Sequence, residues 1–326
     1  MITSLYIEHL RGIRSGRLEG LTGLTVLVGP NGCGKSTVLD AMMIGGSPHL
    51  ADAIGRSVKR RIETRFGLPW LFWRKSEGSE IKIRVTEDGA SFDTTFVSMS
   101  GVNEVVGRTQ RGSSVIGANV TVRFQPDNTY RGTSGTRQAP FRRMIDPSPG
   151  ANHGALPGIF TDADLAGGTQ LVNEILEALV PGYGGLKILS DPDNQAVLYM
   201  GQDGHLIPVS LAGEGVSALV RTLLELAICH DDGTALLEEP EIHQHPKSLR
   251  LLAQGICESV KRGVQVVLTT HSLELIESLT HFAETTGILK QLSVQLVRLR
   301  EGELAAVRYD GESARFQIQE IGVDLR

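Results

Sequence analysis

The chain commits itself earliest at Gly29-Pro30-Asn31-Gly32-Cys33-Gly34-Lys35-Ser36-Thr37, between an apolar run at 24–28 and a stretch at 36–43 with the apolar spacing of a helix. A buried strand, a glycine-rich loop and a helix in direct succession predict an α/β fold with a mostly parallel sheet. Glycines let the backbone curl until successive amide N–H groups face one centre. The helix beginning near Lys35 adds its positive end, and Lys35 adds a full charge. Such a loop receives phosphate, and Ser36 stands where a hydroxyl can ligate an accompanying Mg2+. Cys33 occupies a variable position with no base placed for it and reads as a small filler.

Three further features follow in order. At 210–215, Ser-Leu-Ala-Gly-Glu-Gly precedes an apolar helical face at 216–228. It reads equally as a turn or as a loop whose amides and helix N-terminus meet an anion. The apolar strand 235–237 then ends in Glu238-Glu239-Pro240. Glu238 can hold Mg2+ or its water, and Glu239 can orient an attacking water. A second buried strand at 264–268 runs into Thr269-Thr270-His271-Ser272, putting an imidazole at a strand's carboxyl end, where ligands of open α/β sheets collect. Helices are expected at 170–179, 246–260 and 272–280, and short strands at 294–299 and 305–309. Alternating patterns at 81–95 and 115–124 predict antiparallel strands, while the glycine, proline and arginine of 131–158 read as loop.

With 326 residues, 40% hydrophobic and 21% charged, the chain has ordinary globular usage and room for a sizeable core. The net charge of −5 excludes a protein that coats nucleic acid over its whole surface. The charge is uneven: residues 50–150 carry 16 Lys and Arg against 10 Asp and Glu. Lys59, Arg60, Arg61, Arg142 and Arg143 there are the candidates for contact with double-stranded DNA, against a reading as solvated loop residues. Cys33, Cys229 and Cys257 lack metal or disulfide spacing, which suits a reducing, cytoplasmic setting. The N-terminus, with Leu5, Ile7 and Leu10 set among polar residues, reads as a strand and not a secretion signal. No apolar run approaches the roughly 18 residues that cross a bilayer, so no membrane partner is expected. No heptad pattern is sustained. His243 and His245, alternate residues with no further ligands, do not make a metal site.

The sequence resembles the ABC-type ATPases of the SMC/RecF/OLD branch, and most closely the OLD-like ATPase domain, over nearly its whole length. The resemblance rests on Leu10-Arg11-Gly12-Ile13, the loop 29–37, Glu238-Glu239-Pro240-Glu241 with His245-Pro246, Thr270-His271-Ser272, and the ending Ile321-Gly322-Val323-Asp324-Leu325-Arg326. It implies one ATPase domain over 1–326: a phosphate-loop start at 1–48, a β-rich basic lobe at 49–160, a helical signature region at 161–230 and a Walker B and C-terminal part from 231. It implies ATP and Mg2+ as cofactors, with Arg11, Asn31, Gly32, Gly34, Lys35, Ser36 and Thr37 at the nucleotide, and Ser36 and Glu238 at the metal. Glu239 would be the catalytic carboxylate and His271 the switch histidine. Ser210, Gly213 and Gly215 would act on the nucleotide of a second copy in a head-to-tail dimer.

The signature Leu-Ala-Gly-Glu-Gly, Glu238 in place of aspartate and Gln244 in place of leucine depart from the family and imply slow turnover. Gln125 and Gln138 are both available as the Q-loop glutamine. Asp191 and Asp193 resemble the paired aspartates of a TOPRIM nuclease, but Pro192 and Asn194 make that segment a turn. A separate TOPRIM-type nuclease in an antiviral complex is therefore the implied partner. An ATP-cemented scaffold and RecF- or SMC-like DNA maintenance are the alternatives. A transporter ATPase fits least.

Overall fold

In the computed structural model, residues 1–47, 49–60, 67–75, 79–99, 103–116, 120–125, 129–132, 142–146, 155–229 and 232–318 are described. The chain opens with strands β1 (Ile2–Leu10), β2 (Ile13–Glu19) and β3 (Leu24–Val28), then helices α1 (Lys35–Ile44) and α2 (Leu50–Lys59). An antiparallel run follows: β4 (Glu80–Glu87), β5 (Ala90–Ser98), β6 (Glu104–Arg111), β7 (Ser114–Val115), β8 (Val120–Phe124) and β9 (Tyr130–Gly132). β10 (Arg142–Ile145) leads to α3 (Leu156–Leu165), α4 (Thr169–Leu179) and the meander β11 (Tyr183–Ser190), β12 (Ala196–Gln202) and β13 (His205–Pro208). The rest alternates: α5 (Glu214–Ile228), β14 (Thr234–Glu238), α6 (Pro246–Lys261), β15 (Gln265–Thr269), α7 (Leu273–Thr285), β16 (Leu292–Arg300), β17 (Glu303–Asp310) and α8 (Gly311–Phe316).

One large sheet joins the two expected lobes, in the order β10-β14-β15-β3-β16-β17-β2-β1-β4-β5-β6-β8-β9. From β10 to β16 all neighbours are parallel. From β1 outward they are antiparallel. Strand alternation sorts the core into two layers. Ala235 and Leu237 of β14 face α5, α6 and α7. Leu236 faces α1, which lies between Leu27 and Val267 on the parallel side and Ile7, Ile83 and Phe96 on the antiparallel side. The P-loop helix is thus clamped by both parts of the sheet, each buried aliphatic side chain contributing about 2 kcal/mol.

Two expectations need correction. The segment expected as loop contains β10, which pairs in parallel with β14 from Arg142↔Thr234 to Ile145↔Leu237. Four residues opening on two arginines carry no apolar alternation, so only the neighbouring ladder reveals the strand. The segment 161–230, expected as helical, carries the separate sheet β11-β12-β13. Asp191 makes the turn between β11 and β12 by accepting from the amides of Asp193 and Gln195 at 3.0 and 2.8 Å. Arg61, Gln138 and the ending from Ile321 lie outside the described residues.

Candidate functional site

The carboxyl ends of β10, β14, β15 and β3 lie side by side, so whatever follows each strand meets at one edge of the sheet. After β3 comes the phosphate loop. Gly29 has φ +139°, and a side chain there would run into the Val297 carbonyl. Gly34 caps α1 at φ +94°. Both conformations favour glycine. The buried Lys35 ammonium donates to the carbonyls of Gly29 at 2.8 Å and Pro30 at 3.2 Å, so it sits inside the loop it must neutralise. Asn31 and Gly32 form the exposed tip, and Ser36 and Thr37 lie in the first turn of α1.

Glu238 ends β14, and Glu239 follows in the left-handed region at φ +43°. A side-chain-bearing residue held there stores strain of order 1–3 kcal/mol, a pattern that clusters at functional sites. Its amide is fixed by the Thr269 carbonyl and hydroxyl, each at 3.1 Å. Beyond β15, His271 Nε2 lies 3.7 Å from Glu239 Oε1. Glu241 holds this turn by accepting from the Thr270 hydroxyl at 2.7 Å and the His271 amide at 2.8 Å. His271 and residues 29–33 line one open cavity of 790 Å3 with Leu296, Arg298, Leu299 and Arg300 of β16.

The roles of four groups escaped the sequence reading. Asp40, fully buried on α1, accepts from Arg60 Nε at 2.9 Å and Nη2 at 2.7 Å and pairs with Arg11 at 3.2 Å. Its signal was available: a carboxylate amid Val38, Leu39, Ala41 and Met42 demands a partner. Asp146, directly after β10, is 3.6 Å from Arg60 Nη1, which also donates to Glu238. Burial lowers the proton affinity of Arg60, but Asp40 and Glu238 outweigh it and raise the pKa above the ordinary value. Glu241 is the fourth, adjacent to the glutamate pair yet acting on the turn 30 residues further on.

The structure separates other residues from the roles expected of them. Arg11 faces Asp40 and the Ser57 carbonyl, 2.7 Å away, and is not among the residues lining the P-loop cavity. Gln125 donates its backbone amide to the Thr129 carbonyl in the antiparallel lobe and is not among the residues lining the P-loop cavity. Three DNA-contact candidates are internal ion-pair partners instead. Arg60 is described above; Arg142 pairs with Glu87 at 2.7 Å; Arg143 pairs with Glu225. Lys59 is exposed.

The loop 210–215 is also outside that cavity's lining, and its Leu211 is 75% exposed. Gly213 caps α5 at φ +94°. The loop joins the segment after the glutamates in its own chain: Gln244 donates to the Gly215 carbonyl at 3.2 Å and His243 meets Glu214 at 3.3 Å. His245 accepts from the Lys247 amide and caps α6. These histidines therefore have structural partners within the chain.

Ser36 and Glu238 are hard oxygen donors of the kind Mg2+ takes, so their chemistry fits that metal, while the Arg60 guanidinium holds Glu238 in this structure.

This arrangement is that of a P-loop ATPase head of the ABC type. The fold is the one shared by SMC heads. The family described as "AAA domain, putative AbiEii toxin, Type IV TA system" matches residues 141–277, and that described as "AAA domain" matches residues 4–128. An uncharacterized protein of Methanocaldococcus jannaschii is 39% identical over 117 residues, covering 35% of this chain and 98% of that protein. An ATP/GTP phosphatase of Helicobacter pylori is 20% identical over 98% of both chains. The DNA double-strand break repair Rad50 ATPase of Methanopyrus kandleri is 37% identical over 84 residues, 26% of this chain and 9% of that protein. Among solved structures, an SMC head bound to the C-terminal winged-helix domain of ScpA shares the fold, with TM-score 0.60, 14% identity and coverage of 95% and 97%. Among the described residues, no helix is long and apolar enough to cross a membrane.

Proposed function

We propose that the protein binds and hydrolyses ATP as a switch, two copies closing head to tail around two nucleotides and reopening after hydrolysis. The observation that supports it most is the convergence of the phosphate loop, Glu238, Glu239 and His271 at the ends of adjacent parallel strands. Lys35 and the loop amides would hold the phosphates, with Asn31, Gly32 and Gly34 shaping the loop and Thr37 beside Ser36. Ser36 and Glu238 would hold Mg2+, which supplies charge neutralisation on the phosphates when bound. Glu239 would orient water for in-line attack on the γ-phosphorus and take its proton as the bond to the leaving phosphate oxygen breaks. His271 Nε2, beside Glu239, would steady that carboxylate or donate to a phosphate oxygen. Exposed Leu211 and the outward loop with Ser210, Gly213 and Gly215 suit completion of the site by a second copy. Arg11 would act on the nucleotide side only through Asp40.

For setting, the match of residues 141–277 to a putative AbiEii-toxin family and the OLD-like sequence stretches favour a defence complex with a separate effector nuclease, in the cytoplasm. The Rad50 and SMC-head likenesses favour DNA maintenance with double-stranded DNA as partner. The discriminating experiment is steady-state ATP turnover of the parent and Glu239→Gln, with and without double-stranded DNA, alongside light scattering. Turnover that disappears in the variant while ATP locks a dimer supports the switch. ATP binding with no turnover in either protein, and a mass indifferent to Glu239, replaces it with the scaffold reading.

A further inference from the structure

Glu238, the carboxylate expected at the metal, already has a positive charge beside it. Arg60 closes α2 and reaches Glu238, 178 residues away in sequence, through Nη1. Its other two donors, Nε and Nη2, both hold Asp40 Oδ1 on the P-loop helix. The attachment is asymmetric: two hydrogen bonds anchor the guanidinium on Asp40, whereas Nη1 alone is shared between Glu238 and, at 3.6 Å, Asp146. The side chain of Arg60 is 6% exposed, that of Asp40 1% and those of Asp146 and Glu238 12% each. Arg60 is therefore an internal counter-ion shared by three largely buried carboxylates, one of which, Asp40, also pairs with Arg11.

Under the ATP-switch reading, on which this inference rests, Glu238 must face Mg2+. A guanidinium donating to Glu238 and a divalent cation on the same carboxylate repel strongly at low local dielectric. We propose that Arg60 is the resident cation of this site and that it yields Glu238 and Asp146 when Mg2+–ATP enters, pivoting on its two bonds to Asp40. Asp146 is thereby assigned to the metal side of the site, as the acid at the end of β10 that shares Arg60 with Glu238. The exchange makes metal binding conditional on nucleotide: without phosphates to add ligands, Mg2+ cannot displace the guanidinium. It also reports nucleotide to α2, whose Asp52 accepts from the Tyr130 hydroxyl of β9 at 2.5 Å.

The test uses Mn2+ in place of Mg2+, with free Mn2+ read by electron paramagnetic resonance and AMP-PNP as the nucleotide. The parent binds Mn2+ only weakly without AMP-PNP. Arg60→Ala is expected to bind Mn2+ without nucleotide about tenfold or more tighter, and adding Asp146→Asn removes that gain. Equal affinities, within about twofold, in parent and Arg60→Ala overturn the proposal, as does a gain that survives Asp146→Asn. In the wild-type protein, the Arg60 Nε–Hε resonance is followed as Mg2+ is added to the AMP-PNP complex. A shift with Mg2+ but not with AMP-PNP alone supports the exchange, and indifference to Mg2+ refutes it even where the variants do not fold. If the parent fails to bind AMP-PNP at all, the ATP reading falls, while nucleotide-free Mn2+ binding by Arg60→Ala still judges the displaced-cation role.

Discussion

Replacing Arg142 by alanine separates two incompatible descriptions of the basic middle segment. As a DNA contact in a solvated loop, Arg142 would be worth less than about 0.5 kcal/mol to folding. In the structure it is 4% exposed and lies 2.7 Å from Glu87, itself 2% exposed. It also donates to the carbonyls of Met42, at 2.8 Å, and Gly45, closing the end of the P-loop helix. Removing one partner of a buried pair costs about 3–5 kcal/mol because the other charge stays behind. The lost carbonyl contacts add about 1 kcal/mol. At about 2–3 °C per kcal/mol for a chain of this size, Arg142→Ala should melt about 10 °C or more below the parent by circular dichroism. Arg142→Leu with Glu87→Leu, which leaves no orphaned charge, should recover most of that loss. A melting point of Arg142→Ala within about 2 °C of the parent, or a double variant as unstable as the sum of its singles, would refute the buried-clamp account.

Lys35→Ala should weaken ATP binding about 100-fold by calorimetry, since one charge-assisted contact to phosphate is worth about 1.5–3 kcal/mol; a loss under fivefold would leave the loop without its nucleotide role. A methyl at Gly215 would stand 2.5 Å from the His243 carbonyl, so Gly215→Ala should push α5 away from the segment after the glutamates. The expected result is at least a tenfold drop in turnover with ATP affinity changed less than twofold, and unaltered turnover would dissociate that contact from function. Burial pushes the Cys229 and Cys257 thiols up to about 12 from 9.0, so the folded chain keeps protons that the unfolded chain releases. Stability should hold below pH 9 and fall as pH rises towards 12. The urea midpoint checks this, and Cys257→Ala should flatten the fall.

The strands and helices around the phosphate loop were legible because their apolar periods are strong. The run 24–28 coincides with β3, and 246–260 with all but the last residue of α6. Glu238, Glu239 and His271 were legible because each stands where a buried apolar strand gives way abruptly to polar residues, at the strand end where open α/β sheets gather their ligands. What stayed hidden depends on long-range pairing. Arg60 finds Asp40 and Glu238 across 20 and 178 residues, and nothing local distinguishes it from the exposed Lys59 beside it. Arg142 and Arg143 looked like a basic loop because a strand of four residues is specified by the ladder of its neighbour β14. Glu241 stood in the sequence only as part of the stretch Glu238-Glu239-Pro240-Glu241 with no role of its own, and only the tertiary proximity of β15 makes it the residue that holds His271.

Consecutive residues of a strand face opposite ways, and β10 uses that fact with a single dipeptide. Arg142 reaches into the layer containing the P-loop helix and the antiparallel strands, while Arg143 reaches Glu225 of α5 in the other. Two layers that could have slid past one another are pinned through adjacent Cα atoms only about 3.8 Å apart. A push on α5 therefore arrives at the foot of the P-loop helix with little slack, and the two layers should tilt as one lever. Compliance in this molecule has to come from segments that β10 does not bolt together.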